Sequence, residues 1–247
     1  YALEDSDIDM VIDAHEEVVP IRGRAVNAGR ISELLQGKPV EPIFRGGGGV
    51  SRTGVKRRGS SSTGRGSGLS SVHTENFNPL LQQLQSSLLV TTYQAGKLVA
   101  LRPDPESASI NTHFVGFAKP MGLAVRPNRL AVGTALGIFE LHNLPATTGQ
   151  LKPAGRYDAC FLPRGGQVTG DIAIHELAYA GEELWFVNTR FSCLCVHDGE
   201  HSFSPRWRPR FVTELVPEGR CHLNGLGIVD GVPRYVTALG ETDTPEG

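Results

Sequence analysis

Short apolar runs rich in β-branched residues follow one another from about Ser87 onward, separated by Gly, Pro, Asn and Asp. Runs of this kind, bounded by turn-forming residues, are typical of strands joined by tight turns. Four of the runs align on a central valine, and these are Val90, Val132, Val187 and Val236. In three units an earlier strand aligns on a leucine, and these are Leu123, Leu177 and Leu226. Each unit therefore predicts three short strands and recurs after about fifty residues.

A repeat of this length, with several strands in each unit, is typical of the blades of a β-propeller. A single blade cannot bury both of its faces, and radial stacking covers each face with a neighbouring blade. We therefore predict an all-β fold of propeller-like blades, an incomplete propeller, over residues 86–247. Turn-forming residues at 126–128, 180–182 and 230–231 support the prediction of short strands joined by tight turns. The fourth unit stops after its second strand, so we expect a fragment of a longer protein.

The first third of the chain differs in composition from the rest. The first twenty residues carry seven Asp and Glu and no Lys or Arg, which indicates an acidic leader over residues 1–44. In one interpretation this leader is partly helical, because residues 30–35 form an amphipathic stretch. In the other two it is a linker or the end of another domain. Residues 45–75 are rich in Gly, Ser and Arg, which predicts a disordered linker. RNA contact through its arginines is an alternative, disfavoured because no aromatic residue is interleaved.

The net charge narrows the classes of partner, and the cysteines indicate the redox state of the chain. The net charge is −2, from 24 basic and 26 acidic residues, so no overall cationic field favours nucleic acid or an anionic membrane. No apolar run is as long as the roughly 18–20 residues of a membrane helix. The four cysteines have no disulfide-framework spacing, and we expect reduced, mostly buried thiols. The compartment stays open, with a cytoplasmic location slightly favoured.

Polar side chains stand immediately before the aligned leucines. Met121, His175 and Asn224 occupy equivalent positions in their units, so we expect all three at one mouth of the propeller channel. Three different side chains at one position are typical of a site, although polar residues at strand ends also satisfy loop backbone groups. The candidate ligand-binding residues are His175, Asn188, Arg190, His222 and Asn224.

A divalent cation is the candidate cofactor. Asp171, His175 and Asn224 offer the oxygen and nitrogen ligands that such ions accept, although no short spacing in the sequence is diagnostic of a metal. A second cluster, at residues 203–211, alternates arginines with Trp207. We expect Trp207 to face the core and the arginines to pair with acids such as Glu214 and Glu218, with an anion-binding edge as the alternative.

Several longer motifs resemble those of an uncharacterised conserved family, a domain of unknown function. They include RYDACFLPR at 156–164, TGDIAIHELA at 169–178 and RCHLNGLGI at 220–228. The resemblance covers about residues 86–247, and one departure is Gly219, where the family usually has an acidic residue. It implies a propeller-like β fold that continues beyond residue 247, and no established reaction.

A more distant similarity concerns the mechanism. LNGLGIVDGVPRYVTALG is similar in style to a strand pair of gluconolactonase and senescence-marker-type propellers. In those proteins an Asn in an N-G-L setting can ligate a catalytic divalent cation, and Asn224 is the one residue that matches.

These observations favour a module that binds a small molecule or a peptide at the channel mouth. The alternative is a metal-assisted hydrolase or lactonase, with Asp171 or His222 as the base, and whether the chain is an enzyme stays open. Membranes are not expected as partners, and the sequence argues against nucleic acid.

Overall fold

The computed structural model describes residues 18–27, 73–107 and 109–245. Strands dominate this part of the chain, and the two helices in it are short. The helices are α1 (Phe77–Gln83) and α2 (Pro145–Thr148). The strands are β1 (Val19–Ile21), β2 (Arg24–Asn27), β3 (Ser86–Thr92), β4 (Lys97–Pro103), β5 (Ile110–Gly116), β6 (Leu123–Arg126), β7 (Arg129–Gly133), β8 (Gly137–Asn143), β9 (Ala159–Val168), β10 (Leu177–Ala180), β11 (Glu183–Asn188), β12 (Cys193–Val196), β13 (Ser204–Trp207), β14 (Leu226–Val229) and β15 (Val232–Val236).

The strands form four sheets, and apart from β1, which joins the second sheet, these follow one another along the chain. Sheet 1 has the order β2-β3-β4-β5, sheet 2 the order β1-β9-β8-β7-β6, sheet 3 the order β10-β11-β12-β13, and sheet 4 pairs β14 with β15. The inner strands β2, β6, β10 and β14 lie side by side in this sequence. This arrangement confirms the predicted all-β fold of propeller-like blades.

The leucine column and the turns were predicted correctly. Leu123, Leu177 and Leu226 are the first residues of β6, β10 and β14. Each of these inner strands is joined to its neighbour by a two-residue turn. In the last of these turns Asp230 and Gly231 have φ of 51° and 72°. Positive φ at both central residues is what a type I′ hairpin turn requires.

The valine column is shifted by one residue in sheet 3. Val132 lies opposite Leu123, but Phe186 rather than Val187 lies opposite Leu177. The shift arises because the turn from β11 to β12 is longer than the turn from β7 to β8. Thr134 and Thr189 each stand two residues after the aligned valine, and an alignment that equates them therefore displaces the strand before Thr189 by one residue.

The hydrophobic core lies in the spaces between consecutive sheets. Along β7, Leu130 and Val132 pack toward sheet 1, whereas Ala131 packs in the cluster shared with sheet 3. Along β12, Cys193 and Cys195 face sheet 2, and their neighbour Leu194 faces sheet 4. Because successive strand residues point to opposite faces, each of these strands is buried on both sides. This double burial is what stacked blades provide.

Part of the region assigned to the acidic leader belongs to the sheets. β1 pairs antiparallel with β9, and β2 pairs parallel with β3. Gly23 between them has φ +70°, and a Cβ there would lie 2.0 Å from the Gln85 carbonyl oxygen, so only glycine fits. The other leader residues, including the proposed helical stretch, and the linker up to residue 72 lie outside the described residues.

The four cysteines are free and buried, as expected for reduced thiols. Within the described ranges, no helix has the length and apolar character needed to cross a membrane.

Candidate functional site

Three segments of the same build lead into the inner strands β6, β10 and β14. They are residues 119–123, 173–177 and 222–226. Each begins with a non-glycine residue in left-handed backbone conformation, and these are Lys119, Ala173 and His222, with φ of 49°, 54° and 44°. A side chain in this conformation costs about 1 kcal/mol or more. Because the strained position recurs in all three segments, it belongs to the repeat rather than to one loop.

The following positions of the three segments are also equivalent. The second residue is buried in each case, as Pro120, Ile174 and Leu223. The carbonyl of the fourth residue accepts an N–H from the neighbouring strand or its end: Gly133 donates to Gly122, Val187 to Glu176 and Thr237 to Gly225. The third residues are Met121, His175 and Asn224, so their predicted equivalence is confirmed. We call the end of the sheets where these segments lie the cluster end, after the cluster of side chains described next. The opposite end, with its two-residue turns, is the turn end.

Three of the predicted ligand-binding side chains meet at the cluster end, and we call His175, His222 and Asn224 the imidazole cluster. The rings of His175 and His222 are 5.0 Å apart between centroids and inclined by 83°, an edge-to-face contact. The Asn224 side chain lies beside that of His175, close enough to act on its pKa. His222 and Asn224 are exposed, and His175 is half-buried.

The surroundings of His175 favour the neutral ring. Burial lowers its pKa, the nearby His222 lowers it further, and the side chain of Asn224 opposes both. A neutral imidazole has one N–H donor and one acceptor nitrogen. His175 is therefore suited to hydrogen bonding or proton transfer near neutral pH.

The turn from β11 to β12 holds the loop that carries His222 and Asn224. Thr189 Oγ1 donates to the Leu223 carbonyl over 2.6 Å, and Gly219 N donates to the Arg190 carbonyl over 2.8 Å. These bonds fasten the loop of sheet 4 to a turn of sheet 3. They explain why His175 and His222, which are far apart in sequence, come into contact.

Arg190 and Asp171 lie in neighbouring loops and form an exposed ion pair, with Nη2 and Oδ2 3.8 Å apart. The Arg190 N–H also donates to the Ile172 carbonyl over 3.2 Å. An exposed pair of this kind contributes about 1 kcal/mol at most. The carboxylate that the metal hypothesis needs is thus engaged by an arginine.

Of the predicted metal ligands, His175 and Asn224 lie beside each other, whereas Asp171 contacts Arg190. In the part of the chain that the structure describes, no group of three His, Cys, Asp or Glu side chains is placed to hold a metal ion. The divalent cation stays a prediction.

Asn188, also predicted to bind ligand, is the last residue of β11 and caps the turn that follows it. It is fully buried, and its Oδ1 accepts the Phe191 N–H over 3.1 Å across the turn that follows β11. Thr134 has the same role after β7, where its Oγ1 accepts the N–H groups of Leu136 and Gly137. Polar side chains that cap turns in this way are common, so the place of Asn188 is the turn rather than the imidazole cluster.

Sequence reasoning missed Glu176, the neighbour of His175. Its carboxyl is half-buried, and burial raises its pKa, an effect that the hydrogen bond from the Leu177 N–H opposes. The equivalent residues in the other two segments are Gly122 and Gly225. Once the three segments are aligned, the sequence shows an acid at a position where the other two segments have glycine, and this difference is the signal that could have identified Glu176.

The arginine-rich segment forms a separate surface. Trp207 is 44% exposed, so the prediction that it faces the core is wrong. The reason is that β13 is an edge strand of sheet 3 and that three of its four residues are exposed. Arg206 pairs with Glu183 at 3.5 Å, whereas the predicted acids Glu214 and Glu218 contact Arg220 instead. Trp207 and Arg210 line a cavity of about 400 Å³ between sheets 3 and 4.

Comparison with known proteins places the chain in a family without assigning it a reaction. No curated protein matches the sequence. The model of the family "Domain of unknown function (DUF4915)" matches residues 75–247, which is more than half of the chain and includes all three segments of the cluster end. The chain therefore belongs to the DUF4915 family.

Proposed function

We propose that this chain is a propeller-type module that binds a small ligand or a peptide at the cluster end, through the imidazole cluster. The three leading segments share one backbone conformation and present three different side chains: Met121, His175 and Asn224. Repetition of the backbone without repetition of the side chain is what a binding surface built on a repeat requires.

The observation that carries the proposal is the pattern of contacts in the cluster. If these polar side chains served only the fold, they would bond to loop backbone, as Asn188 and Thr189 do. His175 instead contacts the side chains of His222 and Asn224. Polar groups that are held by one another, and partly exposed, remain available to a ligand.

Apolar side chains surround the same end of the molecule. Tyr93 lies in the turn after β3, Leu136 in the turn after β7, and Leu239 in the segment after β15, and all three are exposed. The Leu239 N–H donates to the Cys221 carbonyl, which places this leucine beside the loop of the cluster. Ligand sites typically combine a few polar groups with apolar side chains, and the exposed apolar side chains at this end support an organic ligand.

A metal-assisted hydrolase or lactonase is the competing proposal. It would use Asp171, His175 and Asn224 as ligands of a divalent cation and Asp171 or His222 as the base. It requires Asp171 to leave Arg190, and the similarity to gluconolactonase-type propellers depends on Asn224 alone. Titration of the purified chain with Ca²⁺, Zn²⁺ and Mn²⁺ distinguishes the two, because binding that Asn224→Ala abolishes would favour the hydrolase. RNA contact through the Arg/Gly linker concerns residues outside the described ranges.

The binding proposal is tested with a fragment library and three variants of the same chain. Affinities of the hits are measured for the unmodified chain and for His175→Ala, Asn224→Ala and the control His142→Ala. His142 is a histidine of β8, away from the three segments. We expect the first two variants to weaken binding about tenfold or more, the size of a lost hydrogen bond to a buried partner. Hits whose affinity changes only in the control would contradict the proposal.

A further inference from the structure

Two cysteines of sheet 3 hold their sulfur atoms together in the core. Cys193 and Cys195 are the first and third residues of β12, so their side chains leave the same face of the strand. Their Sγ atoms are 3.5 Å apart, within hydrogen-bond distance for thiols, and both residues are fully buried. The other two cysteines, Cys160 and Cys221, lie in different core clusters. The sulfur pair is therefore a local feature of sheet 3.

Asn188 brings an unused hydrogen-bond donor to the same face. It lies directly opposite Cys193, and opposite residues of antiparallel strands have Cβ atoms about 4.5–5.5 Å apart on one face. The residue is fully buried, and its Nδ2 has no hydrogen-bond partner within the described residues. The hydrogen bond with Cys193 and burial raise the pKa of Cys195, and the nearby Asn188 side chain has the opposite effect. Buried donors without an acceptor are rare, and a bound ion is one explanation of them.

Sheet 2 shows that the turn itself does not need this amide donor. Thr134 caps the turn after β7 as Asn188 caps the turn after β11. The Thr134 Oγ1 accepts two N–H groups and donates to the Gly137 carbonyl over 2.9 Å, so all of its groups serve the turn. Asn188 uses only its Oδ1 in this way. Its Nδ2 donor is therefore left beside the two cysteines.

Two sulfur ligands without further donors select a soft monovalent ion. Thiolates bind Cu(I), Zn²⁺ and iron–sulfur clusters, but structural zinc sites and iron–sulfur clusters take four protein ligands. Within the described residues no third His, Cys, Asp or Glu joins the pair, and Cu(I) is satisfied by two thiolates. Bonds of about 2.3 Å, the length of zinc–thiolate bonds, reach one ion from both sulfurs as they stand, and a linear arrangement needs the sulfurs to move apart by about 1 Å.

The surroundings of the sulfur pair are apolar. The other buried residues of its core cluster, contributed by sheets 2 and 3 and the segment between them, carry no charge. Binding of Cu(I) releases both thiol protons, so the occupied site has one negative charge, and an amide N–H stabilises an ionised acceptor. Phe191 and Phe203, whose ring centroids are 5.0 Å apart, pack against this cluster and are half-buried. Phe191 lies in the turn before β12, so local opening of that turn gives the ion a way in.

We propose that Cys193 and Cys195 form a two-coordinate thiolate site for Cu(I). Asn188 is its positioning residue, which donates its Nδ2–H to one of the thiolates. The two thiols release their protons on binding, and no electron is transferred. The site lies in the core between sheets 2 and 3, so the inference is independent of ligand binding at the imidazole cluster.

The test is an anaerobic titration of the chain with Cu(I) in competition with the chelator bathocuproine disulfonate, followed by the near-ultraviolet absorption of the copper–thiolate bonds. Cys193→Ala and Cys195→Ala each remove one ligand, and the matched control Cys160→Ala removes a buried cysteine elsewhere. We expect one Cu(I) per chain, an affinity lowered by more than about 100-fold in both ligand variants, and no change in the control. Asn188→Thr keeps a turn cap of the Thr134 kind and should weaken Cu(I) binding by about tenfold.

The inference is overturned if the chain does not retain Cu(I) against the chelator, or if both ligand variants retain it as well as the unmodified chain. Binding of Zn²⁺ that Cys193→Ala abolishes would also overturn it, because a site with more ligands would then be present. Unchanged affinity in Asn188→Thr would remove the role of Asn188. Thermal unfolding shows that each variant folds, and serine replaces alanine at any position where it does not.

Discussion

The two ends of the inner strands follow different rules. At the turn end, β6, β10 and β14 are connected to the next strand by two residues, and the turns have the chemistry that hairpins require. At the cluster end, the same strands are preceded by left-handed non-glycine residues and by polar side chains that contact one another. Violations of local rules are expected where a structure serves function, and at the cluster end one of them recurs in all three segments.

The largest effect is expected where the inner strands approach each other at the cluster end. Gly122→Ala places a Cβ 2.9 Å from the carbonyl carbon of Glu176, which neither backbone can avoid without moving. Overpacking of this kind costs about 1–3 kcal/mol. Urea unfolding measures the loss. An unchanged midpoint would mean that the inner strands are not as close as described.

A pair of opposite substitutions compares the two ends directly. Gly181, in a two-residue turn, has φ +60° and open space around it, whereas Ala173 has φ 54° at the cluster end. Gly181→Ala should destabilise the chain by about 1 kcal/mol, because it introduces the left-handed penalty. Ala173→Gly removes that penalty, so it should leave stability unchanged or raise it by up to about 1 kcal/mol. Equal destabilisation by both substitutions would remove the proposed difference between the ends.

The smallest effect is a dependence of stability on pH. The pKa of His175 is lowered in the folded chain, so the unfolded state binds more protons. Above about pH 6.5, the ordinary pKa of histidine, the ring is neutral in both states and costs the folded chain no stability. Below that value the unfolded state takes up the proton more readily, so the stability of the folded chain falls. His175→Gln should reduce this dependence. The difference between unfolding free energies at pH 7.5 and pH 5.5, for the unmodified chain and the variant, measures the effect, and equal slopes would contradict it.

The turn end was predictable from sequence because its signals are local. Aligned leucines and turn residues such as Asp230-Gly231 determine strand starts and hairpins within a few positions. β1 and β2 were not predictable in the same way. They are three and four residues long, and β2 pairs with a strand about sixty residues later. No local pattern specifies a partner at that distance.

The candidate site was predictable in part. The repeat alignment placed His175 and Asn224 at equivalent positions, and the contact with His222 follows from the loop bonds of Thr189 and its neighbours. The pairing of Asp171 with Arg190 depends on where two separate loops come together, which spacing does not reveal. The roles of Asn188 and Glu176 depend on burial, and the sequence alone does not determine burial in a turn or beside a glycine.

The most direct test of the central claim is the response of the histidine side chains to ligand. Ring ¹H–¹³C resonances of the chain are recorded during titration with each fragment that binds, and assigned with single-histidine variants. The account predicts that His175 and His222 shift together along one binding curve, while His142 and His201, which lie outside the cluster, stay unchanged. Fragments that shift His142 or His201 and leave both cluster histidines unmoved would contradict it.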